Sequence, residues 1–142
     1  CGRGGFWEAC ATATELIRDT KRAMEKHPES LKNEIDKKEG KVTGLTAFDA
    51  MDAGDKTAKA LVSRYIRYVG EGLVNIGNYI RPEIIFMGGG ISNQGDWFIK
   101  RLQAYVTRYS YGAKKNPHIT VVKATLNNEA GNFSAAALLA KT

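Results

Sequence analysis

Two segments of the chain combine residue types that could do chemistry. In Met87-Gly88-Gly89-Gly90-Ile91-Ser92, three glycines follow the apolar run Glu83-Ile84-Ile85-Phe86-Met87. Glycines at the end of a strand let the backbone approach a ligand with no Cβ in the way, and ligands of open α/β sheets bind beyond strand C-termini. Gly88, Gly89 and Gly90 are therefore a candidate nucleotide site. The segment is neither a Walker A loop, which needs Gly-Lys followed by Ser or Thr, nor a GxGxxG fingerprint. A tight strand-to-helix turn accounts for the same residues, so both readings stand. In the second segment, Cys1-Gly2-Arg3-Gly4-Gly5-Phe6-Trp7-Glu8, a glycine-rich turn leads into a helix whose first turn carries a carboxylate. Glu8 has a plain explanation as an acid favoured by the helix dipole.

The remaining reactive side chains form no complete catalytic set. Cys1 has no Cys or His partner at zinc-ligand spacing, and Cys10 reads as a small core residue. His27 beside Pro28 and His118 after Pro117 fall in turns, with no nucleophile pattern around them. Asp49, Asp52 and Asp55 are explained by capping and solvation, and the sequon Asn132-Phe133-Ser134 falls inside a helical pattern, where chance explains it.

These segments need a scaffold, and 142 residues supply one domain with a real core. With 43% hydrophobic and 25% charged residues the composition is globular. No apolar run approaches the ~20 residues of a membrane span, and no signal peptide is apparent; a cytoplasmic protein that does not engage membranes is expected. Two cysteines are too few for a disulfide framework. The net charge of +6 favours anionic partners in general, but it is spread over helical faces, with no Arg-rich tract of a nucleic-acid module. The start at Cys1, inside a glycine-rich segment, reads as a fragment.

Periodicity places the elements. Trp7, Cys10, Thr14, Ile17 and Met24 predict one helix closed by Pro28, and Thr46 is expected to cap a short helix over Ala47 to Ala53. The clearest stripe is Ala58, Val62, Tyr65, Val69, Leu73, Ile76 and Ile80, with Asp55 as N-cap and Pro82 as terminator. Glu83 to Met87 predicts a strand, Phe98, Leu102, Tyr105 and Tyr109 a helix, His118 to Lys123 a second strand, and Ala130, Phe133, Ala137 and Ala140 a final helix. The order is that of an α/β architecture with an incomplete sheet, because two buried strands need neighbours.

Taken together, the segments resemble the C-terminal part of the ROK family (repressors, open reading frames and kinases), above all its glucokinase-like sugar kinases. The opening Cys1 to Glu8 looks like the second half of the family's CxCGxxGCxE signature, continued by Ala11-Thr12-Ala13-Thr14. Ala53-Gly54-Asp55, Arg81 to Ser92, and Asn128-Glu129-Ala130-Gly131-Asn132-Phe133-Ser134-Ala135-Ala136 look like three further family blocks in the right order. The resemblance covers nearly the whole chain. It implies an actin-like ATPase fold with a ribonuclease H-like sheet, residues 1–142 being the C-terminal portion of the larger lobe.

The resemblance also implies ATP-dependent phosphorylation of a hexose, with glucose as the expected sugar and Mg²⁺ as the nucleotide's partner. Gly88, Gly89 and Gly90 would lie beside the nucleotide, and Glu8 would hydrogen-bond sugar hydroxyls. Phe6 stands where the family's third zinc cysteine should be, so zinc is not expected. The family's phosphate-binding segment and general base would precede Cys1, so no catalytic residue is assigned here and the chain alone is expected to be inactive. The alternative is the effector-binding part of a sugar-responsive transcriptional regulator of the same family, the one reading in which nucleic acid is a partner. A homo-oligomer is expected, with Tyr65, Tyr68, Tyr79, Tyr105, Tyr109 and Tyr111 as aromatic surface.

Overall fold

The structure, a computed structural model, describes residues 5–30, 33, 37, 40–112 and 119–125. In chain order these form helices α1 (Trp7–Ala11), α2 (Ala13–Lys26), α3 (Thr46–Asp52) and α4 (Lys56–Ile80), strand β1 (Ile84–Met87), a 3-10 turn (Gly90–Gln94), helix α5 (Asp96–Tyr109) and strand β2 (Thr120–Lys123). The two strands are parallel, with Ile84 opposite Thr120 and Met87 opposite Lys123. With α5 between them they form a strand-helix-strand unit, as parallel pairing requires. The final helix expected at Ala130 to Ala140, the block from Asn128 to Ala136, and His118 lie outside the described residues.

Helix α4 is the spine. Asp55 caps it, accepting from the Ala58 amide at 2.8 Å, and its buried carboxylate also accepts from the Ser30 hydroxyl. It stops at Arg81, which turns into the left-handed region at φ 54° just before Pro82. The predicted stripe is buried from Ala58 through Leu73, but Ile76 is only half-buried and Ile80 is exposed. The last two turns instead bury Val74 and Gly77. Glycines explain the rotation of this face, because three of them are slots. A Cβ on Gly70 would lie 2.6 Å from the Tyr105 ring, one on Gly77 would lie 2.5 Å from Ile119, and one on Gly72 would overlap the Trp7 indole. Each glycine costs the helix roughly 0.5–1 kcal/mol relative to alanine, offset by the side chain it admits.

The core gathers Phe48 of α3, the stripe of α4, Phe98, Leu102 and Val106 of α5, and Ile119 and Val121 beside and in β2. Phe48 is fully buried and meets the rings of Tyr65, Trp97 and Phe98 at centroid distances of 6.5, 6.2 and 6.1 Å. On α5, Val106 is the buried residue after Leu102, while the predicted Tyr109 is half exposed. The Gln103 amide donates to the Ile119 carbonyl at 2.9 Å and accepts from the Val121 amide at 2.7 Å. Strand β1 turns Ile85 and Met87 toward the core and leaves Ile84 and Phe86 exposed.

Two helix boundaries differ from expectation. The first predicted helix is broken at Thr12, which is extended (φ −90°, ψ 160°), and its hydroxyl accepts from the Glu15 amide at 3.3 Å to start α2. A threonine that offers its oxygen to a nearby amide competes with helical continuation. The buried residues of α2 are consequently Leu16 and Thr20, while Trp7 and Thr14 are exposed and Cys10 is half-buried. Thr46 does not act as N-cap: it is the first residue of α3, fully buried, and its hydroxyl accepts from the Thr43 amide behind it at 2.9 Å.

Candidate functional site

The glycine turn follows directly from the end of β1. Gly89 sits at φ 90°, ψ 170°, a region that only glycine adopts readily. Ser92 closes the turn behind it, its hydroxyl donating to the Gly89 carbonyl at 2.6 Å and its amide to the same oxygen at 3.1 Å. A Cβ built on Gly89 or Gly90 meets no atom of the described residues within 4 Å. The backbone here is bare toward a cavity of about 310 Å³, whose walls include Thr12, Tyr65, Val69, Ile91 and Phe98 as well as the three glycines. Its polar equipment is the backbone, the hydroxyls of Thr12 and Ser92, the Tyr65 phenol and the Trp7 indole N–H. The described lining carries no carboxylate, lysine or histidine.

Tyr65 donates to the Ala11 carbonyl at 3.1 Å, and burial pushes its phenol up to about 12. The phenol therefore stays a neutral donor at physiological pH, fixing the end of α1 against α4. The start of α1 is fixed separately, by the Trp7 indole donating to the Tyr68 carbonyl at 2.8 Å.

Glu8 is placed elsewhere. It is exposed in the first turn of α1 and lines an open groove of about 420 Å³ with Phe6, Thr14 and the ion pair Glu15–Arg18. Gly88, Gly89 and Gly90 thus share one cavity, while Glu8 does not reach it within this chain; Thr12 lines both. Among the described residues no three His, Cys, Asp or Glu side chains converge as metal ligands. His27 pairs with Glu29 at 3.3 Å on the surface. Thr12, Tyr65 and Trp7 are site elements that sequence reasoning did not single out. Gly70 and Gly72 inside the long helical pattern were the available signal, since isolated glycines there mark a close approach.

The ROK family profile matches residues 1–142 of the chain. The chain belongs to the ROK family. A glucokinase of Halalkalibacterium halodurans is 33% identical over 132 residues, covering 92% of this chain and 39% of that protein. A glucokinase of Streptomyces coelicolor is 28% identical over 141 residues, covering 97% and 44%. A ROK family glucokinase from Streptomyces griseus, crystallised in complex with glucose and AMPPNP, superposes with a TM-score of 0.83 at 28% identity over 97% of this chain and 45% of that one. A ROK hexokinase from Thermus thermophilus gives 0.75 at 28% identity, covering 99% and 44%. The fold is thus that of the ROK kinases, the actin-like ATPase fold, here helix-rich with a small two-stranded sheet among the described residues. The chain spans less than half the length of the ROK relatives it matches. No helix among the described residues is long and apolar enough to cross a membrane.

Proposed function

We propose that this ROK chain is the C-terminal portion of the larger lobe of a cytoplasmic ATP-dependent hexose kinase, with glucose as the sugar. The observation that carries the reading is the bare backbone of Gly88, Gly89 and Gly90 on the cavity at the end of β1, in a chain similar to glucokinases over nearly its whole length. Phosphoryl transfer asks a protein chiefly for positioning and charge stabilisation. Backbone amides on a turn without side chains suit the nucleotide, and the two acceptor oxygens of Glu8 suit neighbouring sugar hydroxyls. Mg²⁺, arriving with ATP, would neutralise phosphate charge. The family's general base would precede Cys1, so this chain is assigned binding rather than catalysis and is expected to be inactive alone. Exposed Tyr79 and Tyr111, with Phe86 of β1, supply aromatic surface for a homo-oligomer.

The test is ADP release by the full-length protein with ATP, Mg²⁺ and a panel of hexoses, the 142-residue chain being run beside it. Sugar-dependent turnover in the former and none in the latter supports the reading. Sugar binding without turnover replaces it with the sugar-responsive regulator.

A further inference from the structure

Helix α1 is five residues long and none of them is fully buried, so a few tertiary contacts decide whether it is held in place. Short helices are marginal without tertiary contacts, yet Glu8 can meet a ligand reproducibly only if α1 is fixed. The Trp7 indole, 43% exposed, lies in the slot that Gly72 leaves in α4. The same missing Cβ uncovers the Tyr68 carbonyl, which lies one helical turn earlier and accepts from the indole N–H at 2.8 Å. A helical carbonyl already bonded along its own helix keeps a second lone pair for such a donor. At the other end of α1, Tyr65 holds the Ala11 carbonyl at 3.1 Å. Trp7 also lines the cavity of the glycine turn, while its neighbour Glu8 lines the groove.

We infer that Trp7, seated in the Gly72 slot of α4, is a positioning residue that fixes α1 and thereby aims the Glu8 carboxylate at the sugar. The inference rests on the proposed role of Glu8. Trp7 touches no reacting atom; it acts through the helix it anchors. Its neighbour in sequence carries the carboxylate, so loss of the anchor spreads Glu8 over many orientations while the glycine turn, held by Ser92, keeps its shape.

The experiment uses the full-length protein with four variants: W7F, which keeps a ring and loses the hydrogen bond; G72A, which closes the slot; E8Q; and R18Q, which leaves the anchor intact. Amide hydrogen exchange across residues 7–11 is read beside KM for hexose, KM for ATP and kcat. W7F and G72A should speed that exchange and raise the hexose KM about tenfold, with the ATP KM moving less than about twofold. R18Q should leave the exchange unchanged. Exchange unaltered in both W7F and G72A, or hexose and ATP KM rising together, overturns the positioning role. An unchanged hexose KM in E8Q overturns the sugar role of Glu8 on which the inference rests, and the exchange data distinguish that failure from a failure of the anchor.

Discussion

The cavity at the glycine turn and the groove beside Glu8 meet at Thr12 and are made of different materials. The cavity is walled on one side by the core, with Phe98 and Val69 almost fully buried, and on the other by Trp7, Ala11 and Thr12. Its polar groups are backbone and hydroxyl, locked by short-range bonds such as Ser92 to Gly89. The groove is lined by exposed and half-buried residues on and beside α1 and α2, the apolar Phe6 and Ala9 among them, and α1 is tied to α4 by two hydrogen bonds. A site walled by core is shaped wherever the fold forms, whereas a site on a tethered helix is only as ordered as its tethers.

The sharpest way to break this comparison is to remove its common support. Phe48→Ala takes a fully buried ring from among Tyr65, Trp97 and Phe98 and should cost about 3–5 kcal/mol, read as a fall in the denaturation midpoint with both regions lost together. Alkaline titration acts next. Below pH 10 the Tyr65 phenol is neutral in folded and unfolded chains alike and its contribution is complete; above it the unfolded chain ionises first, while the buried phenol holds its proton to about 12. Stability should therefore fall between those limits by about 2–3 kcal/mol in all from this group. Tyr105, pushed up to about 12 by burial and then by its bond to Glu71, adds in the same direction, so Y65F should remove only part of the slope in unfolding measured against pH.

Two glycine substitutions separate the cavity from the groove. Gly89→Ala forces an alanine into a conformation reserved for glycine and should cost about 1–3 kcal/mol, seen as a lower Tm with the exchange of α1 unchanged. The smallest effect on stability is expected from Gly90→Ala, whose added Cβ meets nothing within 4 Å among the described residues. Its Tm should stay within about 1 °C of the parent, surface changes of this kind being close to neutral. If the nucleotide lies on this backbone, the ATP KM of the full-length protein should nevertheless rise about tenfold, because the methyl stands where the ligand approaches.

How much of this was legible from the residues follows the same division. The α4 stripe, its cap Asp55 and its stop at Pro82 are local signals, and they hold wherever the helix lies on the core. The stripe misleads at Ile76 and Ile80 because the buried face turns to Val74 and Gly77, where Gly77 admits Ile119, a long-range contact that periodicity cannot sense. The glycine turn is readable because φ restrictions act on single residues. The break at Thr12 was hidden because a threonine fits a helical pattern, and only a side chain turned onto the Glu15 amide shows that it interrupts one. The tie between Trp7 and Gly72 spans 65 positions, and no spacing rule connects residues so far apart.

The contact of Gln103 with β2 has a consequence for how this sheet can grow. By occupying the Ile119 carbonyl and the Val121 amide, the glutamine amide takes the place of a neighbouring strand at the start of that margin. An edge with two of its pairing groups already filled is a poorer template for a stray chain, a partial safeguard against edge-to-edge aggregation provided by one side chain.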